Sequence, residues 1–398
     1  MKIKQTINFF IILKIYLTKS LNILRFLLYN ILNILISFKT QNINPKSLLI
    51  IRLDSIGDYV LVRNYFLALK QSNKYRVYNL TLCGNIVWKE LAETLDKGIF
   101  DNFIWMNRKK FNNNIFYKYR ILKKIYSRGF EVVIDTTFSR EILFGDAIVH
   151  SSKALHRIGS KGAPDSSVKW KRNLLTDKYY TRLITQSSQN LFEFYRNKEF
   201  FEILIDEKID LLKPLINCET ISITVPTLKE FIVIFPGAQE EKRRWAYEKF
   251  AFLIQTIING TKYDIIIAGS AIDSKIANKI GHCFNSNRVY DMTGKTTLSE
   301  LAKLISLCKV LISNETSAVH FAAAVSAPFV CISNGNHYGR FNPYPLKMNV
   351  KSNYVYPPQI EREIDNPDKL KSKYRFDSNL DINSITPDSV YNALEVLL

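Results

Sequence analysis

The sequence predicts an α/β protein built from two doubly wound halves, and three observations lead there. From Ser47 onward, short apolar runs alternate with helical patterns at a spacing that suits a parallel sheet covered by helices. The alternation lapses in a polar segment around 206–230 and restarts at Phe231-Ile-Val-Ile-Phe235. The strand runs are nearly continuous apolar stretches, as strands buried on both faces are, and several end in turns of small, polar or charged residues. Two such halves joined by a polar linker imply a cleft, with ligands held at the strand carboxyl ends that face it. The expected divisions are a basic segment at 1–46, a first domain at 47–226 and a second at 227–398.

Residues 1–46 contain Lys2, Lys4, Lys14, Lys19, Arg25, Lys39 and Lys46 and no acid. Between them lie Phe9-Phe10-Ile11-Ile12-Leu13 and a Leu/Ile-rich run from Leu21 to Phe38. No small-residue cleavage site follows the apolar core, which argues against a cleaved leader. A spanning helix needs about 20 apolar residues, and Arg25, Asn30 and Asn33 interrupt the second run. The segment reads as one or two amphipathic helices lying on an anionic membrane surface with lysines at the headgroups. That places the chain in the cytoplasm, peripheral on the inner face of the cytoplasmic membrane.

In the first half, Leu48–Leu53 reads as a buried strand, followed by the turn Asp54-Ser-Ile-Gly-Asp58 and a helix from about Tyr59 to Lys70. Strands are expected at Val77–Cys83, Phe103–Met106 and Glu131–Asp135, with helices at Val87–Leu95, about 112–127 and about 140–150. The aromatic, basic stretch from Lys169 to Ile203 reads as helical and loop-rich. In the second half, the turn Pro236-Gly-Ala-Gln-Glu-Glu-Lys-Arg-Arg-Trp245 leads to a helix over about 247–258. A strand at Tyr263–Ala268, a helix from Asp273 and a helix through Leu298, Leu301, Leu304 and Ile305 come next. Val310–Ile312 is a short strand, the polar cluster Ser313–Ser317 a turn, and a small-residue helix containing His320 ends at Pro328 before the strand Phe329–Ile332. Pro387 and Asp388 suit the first turn of a last helix.

At 398 residues and 47% hydrophobic, the chain is long enough for two ordinary domains with substantial cores. Lys plus Arg outnumber Asp plus Glu by 55 to 36, a net +19 that favours anionic partners. No zinc-finger spacing or RNA-binding aromatic signature accompanies the excess, so nucleic acid is not expected. Five scattered cysteines without Cys-x-x-Cys read as buried core thiols of a reducing compartment.

Three strand-end turns carry chemistry. The backbone N–H groups and dipole at the start of the helix after Thr316 suit a phosphate, and His320 lies about one turn in. Asp54 and Asp58 flank Gly57 in the first turn. A lone Asp there is most simply a helix cap, but two acids around a glycine after an apolar strand suit a general base. Lys242, Arg243 and Arg244, between a Pro-Gly turn and Trp245, suit a diphosphate. Glycine-rich dinucleotide spacing is absent, and the full Walker spacing Gly-x-x-x-x-Gly-Lys-Ser/Thr is absent too, since Val289 stands where its first glycine would precede Gly294-Lys-Thr296.

These residues resemble glycosyltransferase family 9, the bacterial heptosyltransferases. Leu49-Ile-Ile-Arg-Leu-Asp-Ser-Ile-Gly-Asp-Tyr-Val-Leu61 is similar to its first motif, and Pro236-Gly-Ala with Lys242-Arg-Arg-Trp245 to its second. Asp291-Met-Thr-Gly-Lys-Thr-Thr-Leu-Ser-Glu-Leu301 and Asn314-Glu-Thr-Ser-Ala-Val-His320 resemble the third and fourth, and Phe130–Asp135 and Arg157-Ile-Gly159 fit the first domain's later pattern. The resemblance implies a GT-B fold of two Rossmann-like domains, the first for acceptor and the second for a nucleotide-sugar, ADP-linked. It implies an inverting transferase moving a heptose or related sugar to a lipopolysaccharide core or another cell-surface glycolipid, acting as a monomer. Asp58 inherits the role of base, with Asp54, Ser55 and Gly57 on the acceptor side. Lys242, Arg243, Gly294, Lys295, Thr296, Glu315, Thr316, Ser317 and His320 inherit donor contacts. No Asp-x-Asp pair occurs in the chain, which fits transfer without a cofactor or a divalent metal.

Two departures stand out. Glu315-Thr316-Ser317 replaces the usual Asp-Ser/Thr-Gly, moving the carboxylate by roughly 1.5 Å and removing a glycine beside the phosphate. Asp54 stands where Ser or Thr is commoner, adding a second negative charge next to the expected base. Two other readings stay open on the residues alone: a nucleotide-dependent oxidoreductase or epimerase on a Rossmann fold, and a non-catalytic glycan-binding member of the family.

Overall fold

The computed structural model describes the chain apart from residues 1, 39, 164–168, 187–190, 228 and 284–285 and the side chains of residues 2–19. The apolar run Phe9–Leu13 and the lysines before Ser20 therefore lie outside the described side chains. In chain order the elements begin with α1 (Lys2–Ser37), β1 (Asn44–Arg52), α2 (Ile56–Gln71), β2 (Asn79–Asn85), α3 (Lys89–Leu95) and β3 (Asn102–Met106). They continue with α4 (Arg108–Asn113), α5 (Ile115–Ser127), β4 (Phe130–Asp135), α6 (Gly145–Ser152), β5 (His156–Ser160), α7 (Lys169–Leu175), β6 (Arg182–Ile184) and α8 (Glu193–Ile205). The second series is β7 (Phe231–Phe235), α9 (Tyr247–Gly260), β8 (Asp264–Ile267), α10 (Ser274–Gly281), β9 (Val289–Asp291), α11 (Leu298–Leu307), β10 (Leu311–Asn314), α12 (Ser317–Ala324) and β11 (Phe329–Ile332). It ends with β12 (Ser352–Val355), α13 (Pro358–Glu361), α14 (Pro367–Tyr374) and α15 (Pro387–Glu395).

The strands form two wholly parallel sheets of six, in the orders β3-β2-β1-β4-β5-β6 and β12-β11-β10-β7-β8-β9. Each order reverses once, between β1 and β4 in the first sheet and between β10 and β7 in the second. Such reversals are where ligands bind in open parallel sheets. Leu48, Leu49, Ile50 and Ile51 of β1 are all completely buried, as are Ile232, Val233 and Ile234 of β7, which explains why these strands read as unbroken apolar runs. One core gathers Leu49, Ile51, Ile104, Leu122, Ile125 and Val133, and the other Ile234, Trp245, Phe250, Ile254, Ile267 and Ile312.

By spatial proximity the chain divides into two compact units that are not contiguous in sequence. Residues 1–54, 74–87 and 100–187 make the first; residues 55–73, 88–99 and 188–398 make the second. The helices α2 and α3 thus group with the second sheet. Their side chains give the reason. Tyr59 stacks on Trp88 with centroids 4.2 Å apart, Arg63 pairs with buried Asp96 at 2.5 Å, and the Tyr65 hydroxyl donates to the Phe194 carbonyl of α8 at 3.0 Å.

Some local expectations shift. The first helix after β1 begins at Ile56 rather than Tyr59, because Ser55 and Asp58 close its start. The basic helix at 112–127 is two helices, broken at Asn114, whose side chain caps α5. The strands β5, β6, β9 and β12 were not legible as runs; they are three to five residues long and carry polar residues such as His156, Arg182, Asp291 and Asn353. Four cysteines are buried, but Cys283, just past the end of α10, is exposed.

Along the described part of α1, two of the residues that interrupt the apolar run, Arg25 and Asn33, face the rest of the first unit, while the Asn30 amide donates to the Phe26 carbonyl of its own helix at 2.8 Å. Arg25 donates to Asn113 at 2.7 Å, the Tyr29 hydroxyl lies 2.7 Å from His150 Nδ1, and Asn33 is buried. The apolar residues Leu24, Leu27, Ile31, Ile34, Leu35 and Phe38 are exposed instead. Ser20–Ser37 is long and apolar enough to cross a membrane by length and composition.

Candidate functional site

The second unit collects most of the candidate residues along the carboxyl edge of its sheet. β7 and β10 are neighbours across the reversal, so the turns that follow them, 236–245 and 315–317, lie side by side. Asn314, the last residue of β10, ties them together: its amide donates to the Pro236 carbonyl at 2.7 Å and its oxygen accepts from the Trp245 N–H at 3.2 Å. Trp245 is buried and its indole N–H donates to the Ile385 carbonyl at 3.0 Å, which anchors the far end of the turn. Arg243 is held within the same frame. Its guanidinium donates to the Glu315 carbonyl and lies 4.0 Å from the Glu315 carboxylate. Its Nε is buried without a hydrogen-bond partner, an unspent donor at the sheet's edge.

Thr316 caps α12, its hydroxyl accepting from the Ala318 N–H at 3.3 Å, and Ser317 is the first helical residue. Glu315 is buried, and its carboxylate accepts from the Ser333 hydroxyl at the end of β11. The longer side chain therefore spans to the neighbouring strand. His320 is also buried, with Nδ1 2.9 Å from the Tyr344 hydroxyl. Burial, reinforced by the positive Arg243, pushes its pKa down to about 3, so the imidazole is neutral.

The first turn reaches this site through α2. A Cβ at Gly57 would stand 2.7 Å from His320 Cδ2, so the glycine lets the α2 backbone lie directly on the imidazole face of α12. One residue on, the Asp58 carboxylate accepts from the Ser55 hydroxyl at 2.5 Å and from the Ser55 N–H at 3.3 Å. Asp58 thus caps its own helix, the simple reading of a lone Asp, while standing next to the residue that touches His320.

Other candidates have local partners. Lys242 pairs with Asp377 and lies 3.7 Å from Glu240, on the exposed side of the turn. Lys295 donates to the Asp291 carbonyl of its own loop at 2.6 Å. Gly294 has φ of 70°, and a Cβ there would meet Ala271 Cα at 2.9 Å, which brings the 291–297 turn against the one after β8. Thr296 is half-buried in that turn. In the first unit, Asp54 is ion-paired with the fully buried Arg52, whose Nε lies 2.9 Å from both its oxygens. Its added charge is therefore offset locally. Arg108 and Asn85 fasten the Leu53 carbonyl beside it at 3.0 and 3.1 Å.

Sequence reasoning missed Ser333, Asn334, Asn336 and Tyr344. They belong to the loop after β11, and nothing in their spacing marks them; the hint was a cluster of asparagines after an apolar strand. Among the described residues, no group of three or more His, Cys, Asp or Glu side chains is arranged to hold a metal ion.

Comparison with known proteins bears on this arrangement. A family model described as glycosyltransferase family 9 (heptosyltransferase) matches residues 119–371, a span that holds the three turns of the second sheet but not Leu49–Leu61. Lipopolysaccharide heptosyltransferase 2 of Salmonella typhimurium is 31% identical over 112 residues, 27% of this chain and 30% of that protein. The alignment thus spans less than a third of that relative. The structure of E. coli ADP-heptose LPS heptosyltransferase II superposes with a TM-score of 0.61 at 17% identity, covering 88% of this chain and 98% of that one. An E. coli heptosyltransferase solved with ADP gives 0.67 at 14% identity, over 88% and 100%. The fold is accordingly the α/β, GT-B-like one that the motifs implied.

Proposed function

The chain belongs to glycosyltransferase family 9, and on that premise we propose that it is an inverting glycosyltransferase taking a heptose or related sugar from an ADP-linked donor to a lipopolysaccharide core or similar glycolipid. The observation that carries the reading is the contact of Gly57 with His320. It sets a carboxylate, Asp58, next in sequence to the residue that touches His320, about one turn into the helix whose start suits a diphosphate. The names of the relatives, and the ADP in one solved structure, support the choice of donor.

In this reading an acceptor hydroxyl gives its proton to Asp58 as its oxygen bonds the anomeric carbon, and the bond from that carbon to the diphosphate oxygen breaks on the opposite face. Ser55 holds the carboxylate in place until then. The leaving diphosphate takes up the negative charge, which Arg243 and the α12 N-terminus, with Thr316 and Ser317, stabilise. His320 contributes as a neutral group, held in place by the hydrogen bond between its Nδ1 and the Tyr344 hydroxyl. Asp54, with Arg52 and Arg108 around it, belongs to acceptor recognition in the first unit. The division of labour between a first, acceptor-binding domain and a second, donor-binding one is part of this proposal, as are a monomeric state and transfer that needs no divalent metal.

The exposed apolar side of α1 supports a peripheral location on the cytoplasmic membrane, where a lipid-linked acceptor and a soluble nucleotide-sugar meet. The test of function is a panel of nucleotide-sugars offered without acceptor. Slow hydrolysis of ADP-heptose above the other sugars is the expected result; no turnover and no binding of any nucleotide-sugar would remove the reading.

A further inference from the structure

Beside α1, on the first unit, a cavity of about 350 Å³ is lined by His150, Lys153, Arg157, Lys178 and Tyr179. It lies at the end of α6 and the starts of β5 and β6, the edge of the sheet opposite the strand carboxyl ends where the site residues sit. Three of its five lining residues are cations, and none of the three forms an ion pair among the described residues. The wall is built rather than loose. Arg157 Nε donates to the Tyr179 carbonyl at 2.6 Å, and its Nη1 to that of Ala154. His150 stacks on Tyr179 with centroids 3.9 Å apart and planes 2° from parallel.

The histidine also joins the cavity to α1. Its Nδ1 lies 2.7 Å from the Tyr29 hydroxyl, which in turn lies 3.2 Å from the Ala147 carbonyl. Its Nε2 faces two donors, Lys153 Nζ at 3.3 Å and the Asn33 amide at 3.5 Å. Two donors at Nε2 require it to accept, so the hydrogen sits on Nδ1 and the ring is neutral. Burial, with Lys153, Arg157 and Lys178 close by, pushes its pKa down to about 4, in agreement. The positive charge of the cavity therefore comes from Lys153, Arg157 and Lys178, with the imidazole as its polar floor.

A helix is about 10–12 Å across. If its apolar side lies 5–10 Å into the headgroup and acyl boundary, its opposite side stands at headgroup level. The cavity is fastened to that opposite side by Tyr29 and Asn33. We propose that it binds the phosphate of an anionic lipid headgroup, which fixes how the first unit is seated on the bilayer once α1 has inserted. This rests on the membrane reading of α1 given above and adds a lipid preference that the apolar face alone does not supply.

The test uses the full chain and flotation with vesicles of phosphatidylcholine alone or with phosphatidylglycerol. The wild-type protein is expected to bind both, and the anionic vesicles more tightly. K153Q/K178Q is expected to lose the anionic preference by about 30-fold, roughly fivefold for each lysine, with binding to neutral vesicles unchanged. K229Q/K275Q removes the same charge from the second unit and is expected to keep the preference; an equal loss there would assign it to net charge and overturn the cavity. L27N/I31N is expected to release the protein from both vesicles. Retained binding would refute the role of α1, whereas an intact K153Q/K178Q preference alongside a released L27N/I31N would refute only the cavity. Free phosphate is separated from lipid by following the His150 ring resonances. Dihexanoyl phosphatidic acid should shift them at concentrations where inorganic phosphate does not, and equal effects would overturn the lipid assignment.

Discussion

Gly57 lies against the imidazole of His320, so close that a methyl group at position 57 would stand 2.7 Å from the ring. This contact links the start of α2 to α12 and joins two motifs that are more than 250 residues apart in sequence. Gly57→Ala is expected to displace the ring and destabilise the fold by about 1–3 kcal/mol, as overpacking does. Turnover should fall at least tenfold. The coupling is checked by G57A/H320A, in which the smaller neighbour should recover much of the lost stability. Additive losses in the double variant would show that the two residues do not meet.

Arg243 holds the Glu315 carbonyl and keeps one donor unspent. Arg243→Ala is expected to weaken ADP binding by tenfold or more, in proportion to a charge-assisted hydrogen bond. Lysine at this position should restore only part of it, because it lacks the planar fork. Calorimetric titration of ADP against the three proteins decides the point, and equal affinities would take Arg243 out of the donor site.

Glu315 reaches Ser333 across β10 and β11 because of its extra methylene. Glu315→Asp is expected to lose that bond and cost about 1.5–3 kcal/mol of stability, the range for a hydrogen bond to a charged group. Chemical denaturation measures it. A stability equal to wild type would mean that the Ser333 contact contributes nothing.

His320 and His150 have folded-state pKa values near 3 and 4, below the usual 6.5. The unfolded chain binds their protons first as pH falls. Their contribution is complete above about pH 6.5 and is lost progressively as pH drops toward those lower values. His320→Asn should flatten this acid limb of the stability curve. A limb of unchanged steepness would assign the loss to other groups.

Transfer activity is expected to survive EDTA unchanged. A drop of tenfold or more that magnesium restores would contradict a mechanism resting on Arg243 and the α12 N-terminus.

Much of the fold was readable because Leu48–Ile51 of β1, all of β7 and the run Val310–Ile312 that leads into β10 are buried and unbroken by polar residues. Strands at or near the sheet edges need no such run, so β6, β9 and β12 passed unseen. The turns after β1, β7 and β10 were legible as charged or polar interruptions, and the family motifs gave them roles. What periodicity does not encode is which sheet a helix joins. The grouping of α2 with the second unit depends on Arg63 meeting Asp96 and on Tyr65 meeting Phe194, pairings between residues 33 and 129 positions apart. Tyr344 was missed for the same reason, since its partner His320 is distant in sequence, and so was the tie that Asn314 makes to Pro236 and Trp245.

The mechanism turns on Asp58 as the base, and one pair of numbers tests it. Asp58→Asn keeps a capping side chain and removes the charge. With ADP-heptose and a lipopolysaccharide-core acceptor, kcat is expected to fall by at least 100-fold, while the Kd for ADP stays within about twofold of wild type. Undiminished turnover with unchanged ADP binding would contradict it, leaving Asp58 as nothing more than the cap of α2.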